Sequence, residues 1–167
     1  RPSFVGPPMS SFERNDLSSL AQAISSTASA DGMQMPLTQA QWEALGQYLV
    51  SVDLTAGEVL FAAGAQDRNL FVVESGTLSI HYLDSKEKVH LNIVGPGSLI
   101  GEGAFFAHRP RRATVQAASS CRLWCLTSLR FAELSQRQPA LALALVLAMG
   151  QVLAKRAIDG RRRLASA

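Results

Sequence analysis

The sequence predicts a mainly β domain, a sandwich or barrel, with helices on both sides of it. Three stretches carry that reading. From Val52 to Leu126, short β-branched and aromatic runs are broken by Gly, Pro, Asp and Asn roughly every eight to twelve residues, the texture of short strands joined by tight turns. Ahead of it, Leu37-Thr38-Gln39-Ala40-Gln41 spells a helix start: Thr38 as N-cap, Gln41 as its capping-box partner and Leu37 placed to staple onto Trp42. Behind it, Pro139 opens PALALALVLAMGQVLAKRA, where length and the Ala, Leu and Met content decide for a helix over the period-two alternation.

In chain order, Arg1 to Gly32 is rich in Ser, Pro, Ala and Gly with weak helical periodicity from Phe12 to Ile24, so residues 1–36 read as a flexible arm or linker with at most one short helix. Trp42, Leu45, Leu49 and Val50 then recur at helical spacing. Candidate strands follow at Val59–Phe61, Asn69–Glu74, Gly76–Leu83, Val89–Val94, Ser98–Ile100, Arg112–Ala117 and Cys121–Leu126, separated by clear turns at Ala65–Arg68, Asp84–Glu87 and Gly95–Gly97. Thr127 or Ser128 can cap a short helix carrying Phe131 and Leu134. The expected domain is 37–157, with the barrel over about 52–126 and C-terminal helices over 127–157, followed by a basic tail at 158–167.

The 167 residues and 47% hydrophobic content suit one folded domain with a full core. The net charge of +3 comes largely from Arg109, Arg111, Arg112 and the Arg161–Arg163 run, so no general nucleic-acid surface is implied. Cys121 and Cys125 lie on one face of a strand, about 13 Å apart by rise per residue, too far for a disulfide and without companions for a zinc site. No signal sequence is legible, which makes the cytoplasm the expected compartment, and a chain opening at Arg1 is expected to be a fragment. About twelve uninterrupted apolar residues in the last helix fall short of a membrane span.

The chemistry concentrates in Gly101–Val115, GEGAFFAHRPRRATV. A Gly-Glu pair opens a small-residue turn, and two arginines return ten positions later. Arg111 can meet a phosphate with parallel charge-assisted hydrogen bonds, while backbone N–H groups at Gly103 and Ala104 can approach an anion closely. A carboxylate only accepts, so Glu102 suits a sugar hydroxyl and repels a phosphate. The two charges sort a ligand into a phosphate end and a sugar end.

On these residues the chain resembles the cyclic-nucleotide-binding domain family, whose phosphate-binding cassette reads G-E-x-[AGS]-hydrophobic-hydrophobic, a short loop, then R-x-A-[TS]-V. Gly101, Glu102, Ala104, Arg111, Ala113, Thr114 and Val115 match, and LFVVESGTLSIHY fits the family's glycine-punctuated strand pattern. Gly103 stands where a large apolar residue is usual, and Arg112 where Ser, Thr or Ala is frequent. The resemblance covers about Thr38 to Ala157. It implies an eight-stranded jelly-roll-like barrel and a non-enzymatic, bacterial-type regulatory domain that binds cyclic AMP in preference to cyclic GMP. It also implies a ligand site of Gly101, Glu102, Gly103, Ala104, Arg111, Arg112, Ala113 and Thr114, with base contacts from Ile80, Leu91 and Arg156. No cofactor beyond the cyclic nucleotide is implied. Lys155 and Arg156 fall near the family's polar base contact, although a solvated role is the stronger reading of either.

Other chemistries are weaker. His81, His90 and His108 invite a metal reading, because clustered histidines hold metals in other barrels, and His81 and His90 could face each other across a hairpin; two imidazoles without a carboxylate are a poor site. No nucleophile elbow and no phosphate-binding P-loop is present, so no catalytic residues are assigned. Two other functions use the same fold: a ligand-free interaction module dimerising through Pro139 to Ala157, or a sensor of another anion, such as a cyclic dinucleotide or an organic acid, with Arg109, Arg111 and Arg112 all on the ligand. In the long helix Leu141, Leu145, Ala148 and Val152 form one stripe and Leu143, Leu147, Gly150 and Ala154 another, and only one can face the barrel. The other is expected to meet a second copy or a domain of a parent protein. Only twelve residues follow Lys155, so DNA binding by this chain is not expected.

Overall fold

In the computed structural model, which describes residues 15–27 and 32–159, eight strands form between Val50 and Leu126: β1 (Val50–Leu54), β2 (Val59–Phe61), β3 (Leu70–Ser75), β4 (Leu78–Leu83), β5 (Val89–Val94), β6 (Leu99–Ile100), β7 (Thr114–Ala117) and β8 (Cys121–Leu126). They pair antiparallel in two four-stranded sheets, ordered β1-β8-β3-β6 and β2-β7-β4-β5. This is the jelly-roll-like barrel expected from the sequence. Five helices surround it: α1 (Ser18–Ser26), α2 (Gln39–Gly46), α3 (Glu102–Ala107), α4 (Ser128–Arg137) and α5 (Pro139–Ile158).

Strand alternation divides the core into two layers. Phe71 and Val73 of β3, Leu123 and Cys125 of β8, and Ile80 and Val115 of the other sheet fill the barrel interior. Leu70 and Val72, with Trp124 and Leu126, face the opposite side of the first sheet and meet the helices there. β3 and β8 are thus buried on both faces, which explains their nearly continuous apolar runs. Cys121 and Cys125 both belong to the barrel interior and are free thiols; burial pushes the Cys125 thiol up to about 12.

The capping box forms as written. Gln41 N donates to Thr38 Oγ1 at 3.2 Å and Thr38 N donates to Gln41 Oε1 at 2.9 Å, a cap of the kind worth roughly 0.5–2 kcal/mol. The helix stops at Gly46 instead of running on to Val50. Val50, Val52 and Leu54 alternate with Ser51 and Asp53, a period-two pattern that pairs from Val50↔Cys125 to Leu54↔Cys121, so the first strand starts where helical spacing had been read.

A second correction concerns the arm. Leu17, Leu20, Ile24, Met33 and Met35 are all buried in the helical core layer, and the Asn15 amide donates to the carbonyls of Gly46 and Leu49 at 3.1 and 2.6 Å. The described part of residues 1–36 is therefore an integral layer and not a linker. The weak periodicity is that of a helix which buries only Leu20 and Ile24. Residues 1–14 and the Arg161–Arg163 run lie outside the described residues.

α4 is capped by Thr127, whose Oγ1 accepts from Arg130 N at 3.2 Å. α5 buries Leu141, Ala142, Leu145, Ala148, Met149 and Val152, and turns Leu143 and Leu147 outward at 59% and 60% exposure. Of the two stripes, the first faces the barrel layer. By length and composition the 20-residue helix could cross a bilayer, more than the twelve-residue count suggested, but its buried face and buried Arg156 place it as a core helix of this domain. In the β4–β5 hairpin, His90 pairs with Tyr82 and His81 with Leu91, so the two histidines lie on opposite faces rather than facing each other.

Candidate functional site

The cassette hangs from Gly101, whose φ of 89° lies in the left-handed region and turns the chain from β6 into the six-residue α3. A Cβ there would come within 2.5 Å of an Arg111 Nη1 atom and 2.8 Å of the Asn69 carbonyl oxygen. Glycine is required both for the dihedral and for the arginine. Gly101→Ala is accordingly expected to displace Arg111 and to lower the melting temperature by several degrees, measured by thermal denaturation monitored by circular dichroism.

Arg111 is 2% exposed, and its guanidinium is satisfied within the protein. Nε donates to Asp67 Oδ2 at 3.2 Å and Nη2 donates to Asp67 Oδ1, a bidentate fork; Nη2 also donates to the Asn69 carbonyl at 2.6 Å and Nη1 to the Gly101 carbonyl at 3.1 Å. The guanidinium carbon lies 4.0 Å from the centroid of the Phe61 ring, a residue of the barrel interior. A buried cation needs this much compensation, because a desolvated guanidinium without a carboxylate costs several kcal/mol by the usual order of magnitude. The planar group is thereby fixed in orientation before any ligand arrives.

Glu102 is fully buried at the first position of α3, where its Oε1 accepts from Arg156 Nη1 at 2.5 Å; Arg156 Nη2 donates to the Leu99 carbonyl at 2.7 Å. Arg156 is 1% exposed, contrary to the solvated role favoured from sequence, and its guanidinium lies against Glu102. Lys155 is the exposed one of the two. Cassette and C-terminal helix therefore share a buried ion pair across 54 residues of sequence. A second link is aromatic: Phe105 is buried in the helical layer and meets Phe131 of α4 edge-on at 5.4 Å, while Phe106 is 40% exposed.

The remaining site positions sort by face. Ala104 and Ala113 are buried, Gly103 is half-buried and Arg112 is exposed, as are His108 and Arg109. Thr114 Oγ1 accepts from Ala63 N at 3.1 Å and so holds the loop after β2. Ile80 is fully buried in the barrel interior. Leu91, expected at the base, is 62% exposed on the outer face of β5, because it is the cross-strand partner of the outward-facing His81, whereas its neighbour Asn92 pairs with Ile80. His90 Nε2 lies 2.8 Å from Asp84 Oδ2, and that contact, with the Lys88 and Lys86 backbone N–H groups, holds the Asp84 carboxyl below the usual carboxylate range. Among the described residues no group of three His, Cys, Asp or Glu could hold a metal ion.

Sequence reasoning missed Asp67, Asn69 and Phe61 as the bed of Arg111, and Arg156 as the partner of Glu102. Asp67 sat inside a segment read only as a turn. Its signal was indirect: an arginine that leads into a strand of the barrel interior must find a carboxylate somewhere.

Residues 51–138 match the sequence pattern of the family described as cyclic nucleotide-binding domain. The chain is 35% identical over 79 residues to the cAMP-dependent protein kinase regulatory subunit of Yarrowia lipolytica, an alignment covering 47% of this chain and 20% of that protein. The chain thus spans only about a fifth of the length of that relative. Among solved structures, a cyclic nucleotide-binding domain from Methylobacillus flagellatus superposes with a TM-score of 0.76 at 16% identity, covering 87% of this chain and 80% of that one. The N-terminal domain of a transcriptional regulator from Streptomyces coelicolor gives 0.63 at 29% identity, covering 74% and 87%.

Proposed function

We propose, proceeding from the fact that this chain belongs to the cyclic nucleotide-binding domain family, that it is a regulatory domain whose cassette binds a cyclic mononucleotide, cyclic AMP in preference to cyclic GMP, and passes occupancy to α5. One observation carries the reading. A single short cassette holds a positive group, Arg111, and a negative group, Glu102, both buried and both pre-oriented, as a ligand with a phosphate at one end and a sugar hydroxyl at the other requires. Gly103 and Ala104 add backbone donors, and Arg112 at the rim adds charge without a fixed contact. The relative named as a cAMP-dependent regulatory subunit supports the adenine preference. No chemical step is part of this function, and the ligand is its only small molecule.

The relay follows from the ion pair. A ribose hydroxyl donating to Glu102 alters the carboxylate that Arg156 holds, and phosphate contacts order α3, whose Phe105 rests on Phe131 of α4. A ligand can shift α5 only by what it gains or loses at those two contacts.

The test is a thermal-shift screen against cyclic AMP, cyclic GMP, cyclic di-GMP and simple carboxylates. Cyclic AMP at a hundredfold excess over its dissociation constant is expected to add about 2.7 kcal/mol of stability, and cyclic GMP less at equal concentration. A shift with the dinucleotide or a carboxylate alone would favour the other-anion sensor, and no shift with any of them the ligand-free module.

The outward stripe of α5 supports a two-fold contact with a second copy as part of the same function. Leu143 and Leu147 are exposed, and Gly150 and Ala154 beside them permit close approach. Burying several leucines at about 1.5–3 kcal/mol each can outweigh the cost of association. Leu147→Glu is expected to convert a dimer to a monomer with nucleotide binding retained, as read by sedimentation velocity at micromolar concentration. A chain that is monomeric with and without nucleotide would point instead to docking on a parent-protein domain.

A further inference from the structure

The buried charges of the cassette cancel in pairs. Arg111 is forked by Asp67 and Glu102 is held by Arg156, so two cations and two anions leave the interior of the site without net charge. On α4, which meets the cassette through Phe131, Arg130 and Glu133 pair with each other at 3.0 Å. An anion arriving at this interior finds hydrogen-bond donors that act at contact, and no uncompensated buried charge to draw it in from solvent.

The uncompensated charge is at the rim. Arg68, Arg109 and Arg112 are exposed, and among the described residues none of them has an ion-pair partner. Segments 62–69 and 101–112 contain no acidic residue besides Asp67 and Glu102. Five arginines (Arg68, Arg109, Arg111, Arg112 and Arg156) against those two carboxylates leave +3, which is the net charge of the whole chain. The backbone gathers the three rim residues around Arg111. Arg111 N donates to the Ala65 carbonyl and Gly64 N to the Arg111 carbonyl, each at 2.8 Å, so the loop after β2 runs beside the segment before β7. Arg68 lies between Asp67 and Asn69, both of which hold the Arg111 guanidinium, and Arg109 and Arg112 are within two residues of Arg111.

We infer that Arg68, Arg109 and Arg112 form an electrostatic funnel that sets the rate at which an anionic ligand enters the cassette, acting through their field and not through contacts with the bound ligand; this rests on the binding function proposed above. An exposed guanidinium gains little from a fixed salt bridge, because ordering its side chain in water offsets the attraction. Its field nonetheless acts on every approaching anion. The rim thus speeds entry of any anion, and selection falls on the buried Arg111 and Glu102. At about 10 Å in water, one unit charge changes the encounter rate of a monoanion roughly 1.5- to 2-fold at low salt. The Debye length falls from about 30 Å at 0.01 M to about 8 Å at physiological ionic strength, so most of the effect is lost there.

The experiment is stopped-flow association of the full chain with a cyclic AMP derivative carrying an uncharged fluorophore on its base, between 0.01 and 0.5 M salt. At the lowest salt, Arg68→Gln with Arg109→Gln is expected to slow association about threefold, adding Arg112→Gln about fivefold, and Arg68→Glu with Arg109→Glu about eightfold, graded by charge removed. Arg68→Lys with Arg109→Lys keeps the charge and should keep the rate of the wild type. Dissociation of the double variants should stay within about twofold of the wild type, and all association rates should converge at 0.5 M, where screening is nearly complete. Equal association rates at 0.01 M would overturn the funnel and leave the binding function standing. A loss that appears in dissociation and persists at 0.5 M would make these arginines ligand contacts and overturn it as well. A wild type that binds neither the derivative nor cyclic AMP would overturn both.

Discussion

Arg111→Ala is expected to abolish cyclic nucleotide binding and, at the same time, to destabilise the empty domain. Hydrogen bonds to a charged group are worth about 1.5–3 kcal/mol, so losing the phosphate's partner should weaken binding at least ten- to a hundredfold. The second effect is visible only in the structure. Arg111 is also the partner of Asp67, the ligand of two backbone carbonyls and the lid on Phe61, so its truncation strands a carboxylate and opens space in the barrel interior. Asp67 keeps 26% side-chain exposure, so water can take over part of its solvation and the cost should fall below the roughly 3–5 kcal/mol of a fully buried pair. The variant is therefore expected to be folded but weakened. Arg111→Lys separates the two effects: it keeps the charge near Asp67 but loses the planar fork, and should recover more stability than affinity. Unchanged affinity in folded Arg111→Ala would remove Arg111 from the site.

Arg156→Ala is expected to have the largest effect on stability of any change on α5. Both partners of the Glu102–Arg156 pair are at most 1% exposed, and removing one leaves the other charge buried without its ion-pair partner, typically about 3–5 kcal/mol. Urea unfolding should show the unfolding free energy falling by that amount through a lower midpoint, with little change in slope. Glu102→Leu combined with Arg156→Met should be more stable than either single change, because two apolar side chains of similar volume need no pairing. A single Arg156→Ala variant within about 0.5 kcal/mol of wild type would mean that the pair does not join the cassette to the helix.

The two predictions differ in how far the sequence reached them. Arg111 and Glu102 were legible because a phosphate and a sugar dictate residue types at short, fixed spacing, and the strands were legible because turns and alternation are local. The partners of those two residues were not. Asp67 lies 44 residues before Arg111 and Arg156 lies 54 after Glu102, and no local pattern says which carboxylate a buried guanidinium will find. Arg156 is the sharper case: on a helix end, beside the exposed Lys155, it has the composition of a solvated terminus. Only the burial of α5 against the cassette turns it inward. The helix and strand boundary at Gly46–Val50 failed for a related reason. Leu49 and Val50 continue the helical spacing of Trp42 and Leu45, and the competing period-two signal is only five residues long. Leu91 was expected at the base from the family resemblance, and the pleat turns it outward, because it pairs with His81 while the inward Ile80 pairs with its neighbour Asn92.

The most direct measurement of the central claim is a calorimetric titration of the full chain with cyclic AMP. The account predicts saturable heat at one nucleotide per chain, displaced by excess cyclic GMP and absent from Arg111→Ala. Absence of heat in the wild type at two temperatures, with no nucleotide retained in equilibrium dialysis, would contradict it.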